Sequence, residues 1–175
     1  MKLPISALVL FSLLTSFLSA EESEFRTATI DLGIVVSDLD KSLKFYTEAV
    51  GFTATGEFVA NKQVTKDSGL SAGEELTIKK LSLGTGKGAT TIKLMQSSLE
   101  KSKKSDQTYI TSSLGFSYLT IHVNSTKVAL ERLKKAGVKV LAKGPANIPG
   151  SQVALTVIKD PDGNFVELVG PADQE

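Results

Sequence analysis

The chain has 175 residues, 41% of them hydrophobic and 22% charged, with no cysteine and one histidine. Those values suit a single globular domain with a real core and exclude both a disordered chain and a disulfide or thiolate-zinc scaffold. Twenty basic residues stand against nineteen acidic ones, and only Arg26 and Arg132 are arginine, a balance that argues against a nucleic-acid surface.

The first twenty residues, "MKLPISALVLFSLLTSFLSA", have one positive charge at Lys2, an apolar run from Ile5 to Leu18, and small residues at Ser19 and Ala20. This is the pattern of a secretory signal peptide cut after Ala20. Leu18 is larger than the residue preferred three positions before a cut, so an uncleaved N-terminal anchor is the alternative. Export to a periplasm or the medium is expected. Without Lys2 the balance becomes 20 − 1 = 19 basic against 19 acidic residues.

From Leu32 the chain reads "LGIVVSDLDKSLKFYTEAVGFTATG", and from Leu119 it reads "LTIHVNSTKVALERLKKAGVKVLAKG". Each is a strand, a polar break, an amphipathic helix, a glycine stop and another strand, so the chain contains an internal repeat. Leu39, Leu43 and Tyr46 or Val50 set the first helix face; Val128, Leu130 and Leu133 set the second less cleanly. Asp38 and Ser125 are positioned as N-caps, Gly51 and Gly137 as C-terminal stops. Further strands are expected at 52–60, 76–83 and 90–96 in the first copy, and at 139–143, 153–158 and within "GNFVELVG" (163–170) in the second.

The polar insertion "VANKQVTKDSGLSAGEE" is a candidate rim loop or lid. "GTGKG" (84–88) lacks the spacing of a phosphate loop and reads as a hairpin turn. Asn124-Ser125-Thr126 matches a glycosylation sequon, relevant only in a eukaryotic source. The resulting division is a signal peptide (1–20), a β-α-β-β-β module (27–97), a Ser- and Lys-rich linker (98–114) and a second such module (115–172), with 21–175 forming one domain.

Side chains alternate faces along a strand. Leu32, Ile34 and Val36, Ile92 and Leu94, Leu119, Ile121 and Val123, and Val166 and Leu168 form aliphatic faces suited to lie beneath helices. The opposite faces carry Asp31, Gly33 and Val35; Thr91, Lys93 and Met95; Tyr118, Thr120 and His122; and Phe165, Glu167 and Val169. They suit a cavity with apolar walls and polar handles; simple space-filling with no cavity is comparably consistent with the sequence.

The paired modules, "GIVVSDLDKSLKFYTEAVGF" and "DPDGNFVEL" together resemble the vicinal oxygen chelate superfamily, which includes glyoxalases, bleomycin-resistance proteins and extradiol dioxygenases. The resemblance spans Thr27 to Pro171 and implies an α+β fold whose paired modules form a curved mixed sheet around a cavity, with helices outside. In metal-bearing members four positions face that cavity, two from each module. Here they correspond to Asp31, Lys93, Tyr118 and Glu167, and only Glu167 keeps the usual type. Lys93 is the sharpest departure, because a protonated ammonium offers three donors and no acceptor.

Two arrangements of these residues follow. In the first, Lys93 replaces the metal between Asp31 and Glu167, with Tyr118 nearby; Glu167, Lys93 and Asp31 are then the catalytic candidates, or the trio is a structural ion-pair network. In the second, Asp31, His122 and Glu167 bind a divalent metal; a lone strand histidine is more often a hydrogen-bonded cavity or core residue, and Lys93 disfavours any metal cofactor. Tyr118, His122, Thr120, Met95 and Phe165 are the candidate ligand contacts. The expected function is an exported, glyoxalase-like protein with a degenerate metal site that binds a small molecule or acts as a divergent enzyme. The alternatives are a metal-dependent lyase of the lactoylglutathione lyase type or a dioxygenase, and a dimeric sequestering protein like the bleomycin-resistance proteins. Small molecules and a second copy of the chain are the expected partners, nucleic acid is not.

Overall fold

A computed structural model describes residues 24–97 and 102–172. The expected signal peptide at 1–20 and the first residues of the expected linker lie outside the described residues. The elements are β1 (Asp31–Val35), α1 (Leu39–Lys44) continuing as a π-helical turn over Phe45–Val50, β2 (Thr53–Ala60), α2 (Lys62–Asp67), β3 (Leu76–Leu83), β4 (Thr90–Ser97), β5 (Tyr118–His122), α3 (Thr126–Lys135), β6 (Ala146–Asn147), β7 (Val153–Lys159) and β8 (Phe165–Pro171).

They form two four-stranded mixed sheets, ordered β1-β4-β3-β2 and β5-β8-β7-β6. In each, the first strand pairs in parallel with the last and the remaining pairs are antiparallel. The repeat holds at the level of register. Gly33 stands opposite Lys93 as Thr120 stands opposite Glu167, and Asp31 opposite Thr91 as Tyr118 stands opposite Phe165. Lys93 and Glu167 therefore occupy equivalent positions in the two modules.

The repeat helices α1 and α3 start on side-chain caps. Asp38 accepts from the Lys41 N–H at 3.0 Å and Ser125 from the Val128 N–H at 3.2 Å, satisfying donors that the helices leave unpaired. The widened turn after α1 brings Phe45, Tyr46, Ala49 and Val50 all inward. It stops at Gly51, whose φ of 98° only glycine adopts without strain and whose N–H donates to the Tyr46 carbonyl.

The inward stripe of α3 is Thr126, Ala129 and Leu133 rather than the expected Val128, Leu130 and Leu133; Val128 is 58% exposed. The cause is close approach. A Cβ on Gly170 would lie 2.6 Å from Thr126 Oγ1, so the helix start is pressed onto β8 through small residues, which rotates Val128 outward.

Two further expectations are corrected. The 139–143 strand does not form: the Gly144 N–H donates to the Leu141 carbonyl in a turn, Pro145 has no N–H to offer, and of this stretch the Leu141 N–H reaches the Val157 carbonyl. The edge strand is the two-residue β6 instead. The polar insertion is also not an open loop, since it holds α2, capped by Asn61 and pinned by the buried Thr65, whose hydroxyl donates to the Glu74 carbonyl.

Leu81, Ile92 and Leu94 of the first sheet and Ile121, Ile158, Val166 and Leu168 of the second belong to one core with the helices. Apolar burial there supplies the main driving force for docking the modules. Polar contacts fix the seam: Tyr46 Oη donates to Asp160 Oδ2 at 3.0 Å, the Ser37 N–H to Asp162 Oδ2 at 3.0 Å, and Arg132 Nε to the Ala49 carbonyl at 2.9 Å. The modules thus sit with their aliphatic faces toward one shared core. The α+β architecture and the paired modules are those expected. The mixed faces, however, lie on the far side of each sheet from the core and do not enclose a cavity within one chain.

Candidate functional site

On the open face of the first sheet the register sets out rows of side chains across the four strands. One row is Gly33, Lys93, Lys80, Gly56; the next is Val35, Met95, Ile78, Phe58; on the other side lie Asp31, Thr91 and Ser82. Lys93 Nζ is 2.7 Å from Asp31 Oδ2. This hydrogen bond, reinforced by the charges of Lys93 and Lys80, holds the Asp31 carboxyl below the ordinary aspartate range, against a smaller opposing effect of desolvation. Lys80 was not singled out from sequence. The alternation of Leu76, Ile78, Lys80 and Ser82 along one strand was the signal that could have found it.

Apolar residues border this polar patch. Met95 packs on Ala60, Leu76 and Ile78, while Val35 and Phe58 are 54% and 44% exposed. The Met95 tip lies against Gly33, where a Cβ would come to 3.1 Å from Met95 Cε.

The second sheet carries the matching set. Thr120 Oγ1 donates to Glu167 Oε2 at 2.6 Å, and among the described residues no cation lies within ion-pair distance of Glu167. Tyr118 is 51% exposed. Phe165, a candidate ligand contact, is instead covered: Lys159 Nζ sits 4.5 Å from its ring centroid, held by the Gln107 carbonyl of the linker. His122 lies at the strand end, on a groove shared with Val50, Leu83, Val128 and Arg132.

The structure brings Lys93 to Asp31 and Thr120 to Glu167. It does not bring Lys93 to Glu167 within one chain. Nor does it assemble Asp31, His122 and Glu167, since among the described residues no three potential His, Asp or Glu ligands come together. A groove of about 360 Å³ lies elsewhere, at the seam between Ser37, Gln96, Lys103, Lys104 and Asp162.

The role of Asp160 was legible only as a turn. Its Oδ1 accepts from the Asp162 and Asn164 N–H groups and its Oδ2 from Asn164 Nδ2 and Tyr46 Oη. The "DPDGN" stretch is therefore a buried carboxylate that builds its own turn and clasps the other module.

The four positions that the resemblance assigns to a metal are Asp31, Lys93, Tyr118 and Glu167. That donor set does not fit one: the ammonium of Lys93 lies against the Asp31 carboxylate, where a cation would have to bind, and has no lone pair to give.

A sequence model of the Glyoxalase/Bleomycin resistance protein/Dioxygenase superfamily matches residues 28–168. No curated protein matches the chain significantly in sequence. Among solved structures, a glyoxalase family protein from Bacillus cereus aligns with a TM-score of 0.68 at 18% identity, covering 87% of this chain and 99% of that one. A glyoxalase I mutant from Zea mays aligns with a TM-score of 0.59 at 22% identity, covering 82% of this chain and 45% of that one. TnmS3, an antibiotic binding protein from Streptomyces sp. CB03234, aligns with a TM-score of 0.52 at 22% identity, covering 86% and 99%. At these identities the likeness is one of fold.

Proposed function

The chain belongs to the Glyoxalase/Bleomycin resistance protein/Dioxygenase superfamily, and from that membership we propose that it is an exported small-molecule-binding protein whose metal position has been given over to Lys93. The observation that carries this reading is the ion pair of Lys93 with Asp31 at 2.7 Å. An ammonium in that place polarises or holds an electron-rich ligand group by hydrogen bonding rather than by Lewis acidity. Glu167, held by Thr120 and, among the described residues, without a cation at ion-pair distance, is the acceptor for a ligand donor and a carboxylate available for proton transfer.

The complete site is shared between two copies of the chain, the first-sheet face of one closing over the second-sheet face of the other. Support comes from what a single chain leaves in water: Val35, Phe58 and Tyr118 on the two faces, and Leu114 and Phe116, fully exposed in the segment before β5. Exposed apolar side chains on both faces and in that segment support association there. The leader-like first twenty residues support export. Elemental analysis of protein purified without chelator tests the site: less than about a tenth of an equivalent of transition metal is expected, and a stoichiometric metal would end this reading.

A further inference from the structure

Two lysines directly opposite one another on one face of an antiparallel pair repel, and such pairs destabilise a sheet. Lys80 and Lys93 are such a pair. Their neighbour Lys79, on the other face of β3, is balanced by Glu57 at 3.2 Å and Asp40 at 3.9 Å. On the open face the compensation is incomplete. Asp31 is taken by Lys93, and among the described residues no carboxylate lies within ion-pair distance of Lys80. A local rule broken in this way marks a functional or strained site.

The surroundings give the ligand a shape. Gly33 and Gly56 flank the two lysines in the same row, so neither flanking position adds a side chain of its own, and a Cβ on Gly56 would meet nothing within 4 Å. One row along, about 6–7 Å away at the usual strand rise, Val35, Met95, Ile78 and Phe58 form an apolar strip across all four strands. A cationic row beside an apolar row whose ends, Val35 and Phe58, are 54% and 44% exposed, with Ile78 buried between its neighbours, is complementary to a molecule with a charged head and a greasy body.

We propose that the open face of the first sheet seats an amphipathic organic anion, with its oxyanion head on Lys80 and Lys93 and its apolar body over Val35, Met95, Ile78 and Phe58. This rests on the reading of that face as a ligand site and names the class of ligand. Lys93, steered by Asp31, sets the position of the head, and Lys80 supplies the positive charge in excess of the one Asp31 carboxylate. The competing role for Lys80 is to pair with Glu167 of a second copy.

The test uses two fluorescent probes on the full chain: 1-anilinonaphthalene-8-sulfonate, and N-phenyl-1-naphthylamine, which has the same aromatic body without the anion. Saturable binding of the sulfonate about tenfold or more tighter than the amine is expected, with the preference shrinking as salt rises. Lys80→Gln is expected to remove the preference while leaving the amine affinity and the far-UV circular dichroism unchanged. Its melting temperature should stay level or rise, because a repulsion has been relieved; a merely structural lysine would not combine that with lost binding.

Equal affinities for the two probes, or an unchanged sulfonate preference in Lys80→Gln, overturn the anion assignment while leaving the ligand site standing. A preference that emerges only in Glu167→Gln also overturns it, since Lys80 would then belong to the subunit pairing. Binding of neither probe removes the ligand-site reading and this inference with it.

Discussion

Asp31 gives up its proton more readily than an ordinary aspartate, because Lys93 donates to its carboxylate and Lys80 adds a second positive charge. The sign of the linkage follows from that. A carboxyl whose folded pKa lies below its unfolded value contributes stability above the unfolded value, near about 4, and loses it as pH falls through the folded one. Both partners are partly exposed, so solvent screening keeps the contribution small. Carbon-13 NMR titration of the side-chain carboxyl should place Asp31 below the ordinary range in the wild type and return it toward that range in Lys93→Ala. An unshifted Asp31 in the wild type would mean that the pair does not persist in solution. Lys93 was legible as a departure because its residue type contradicts its position. Its pairing with Asp31 but not Glu167 was not, because alternation along a strand says which face a side chain takes and not which sheet that face will meet.

The strands and both helix starts were legible because their signals are local: alternation, a capping side chain, a glycine stop. Misreadings arose where an element is shaped by its neighbour. The inward stripe of α3 depends on Gly170 of a distant strand admitting the helix, and the short β6 depends on where the chain turns before Pro145. The same dependence makes "DPDGN" more than a turn. Burial first, and the negative charge of Asp160 second, push the Tyr46 phenol above the ordinary tyrosine range, so it stays a hydrogen-bond donor at any working pH. Tyr46→Phe removes that donor and leaves Asp160 with bonds only from its own turn. A loss of about 1.5–3 kcal/mol is expected, the range for hydrogen bonds to charged groups, read from the urea unfolding midpoint. A loss within about 0.5 kcal/mol, the usual effect of a neutral surface change, would show that the clasp contributes little.

At the scale of the whole molecule, a sequence pattern could divide each sheet into an aliphatic and a mixed face, yet could not say whether two mixed faces meet in one chain. The shared core decides that they do not. Association through the exposed segment before β5 then has a definite consequence. Sedimentation equilibrium should find a dimer for the wild type and at least a tenfold weaker one for the double substitution Leu114→Ser, Phe116→Ser, since removing two buried apolar side chains from an interface costs more than the roughly 1.4 kcal/mol that a factor of ten represents. The far-UV spectrum should not change, because neither side chain touches the core. A wild type that sediments as a monomer at high concentration would contradict the shared site.

The central claim is that Lys93 has taken the place of a metal. Its most direct test is calorimetric titration of Zn²⁺ and Mn²⁺ into the wild type and into Lys93→Glu, which exchanges the ammonium for a carboxylate beside Asp31. No saturable binding to the wild type is expected, and a measurable metal site in the variant. A stoichiometric metal site in the wild type that disappears in Glu167→Gln would contradict the claim.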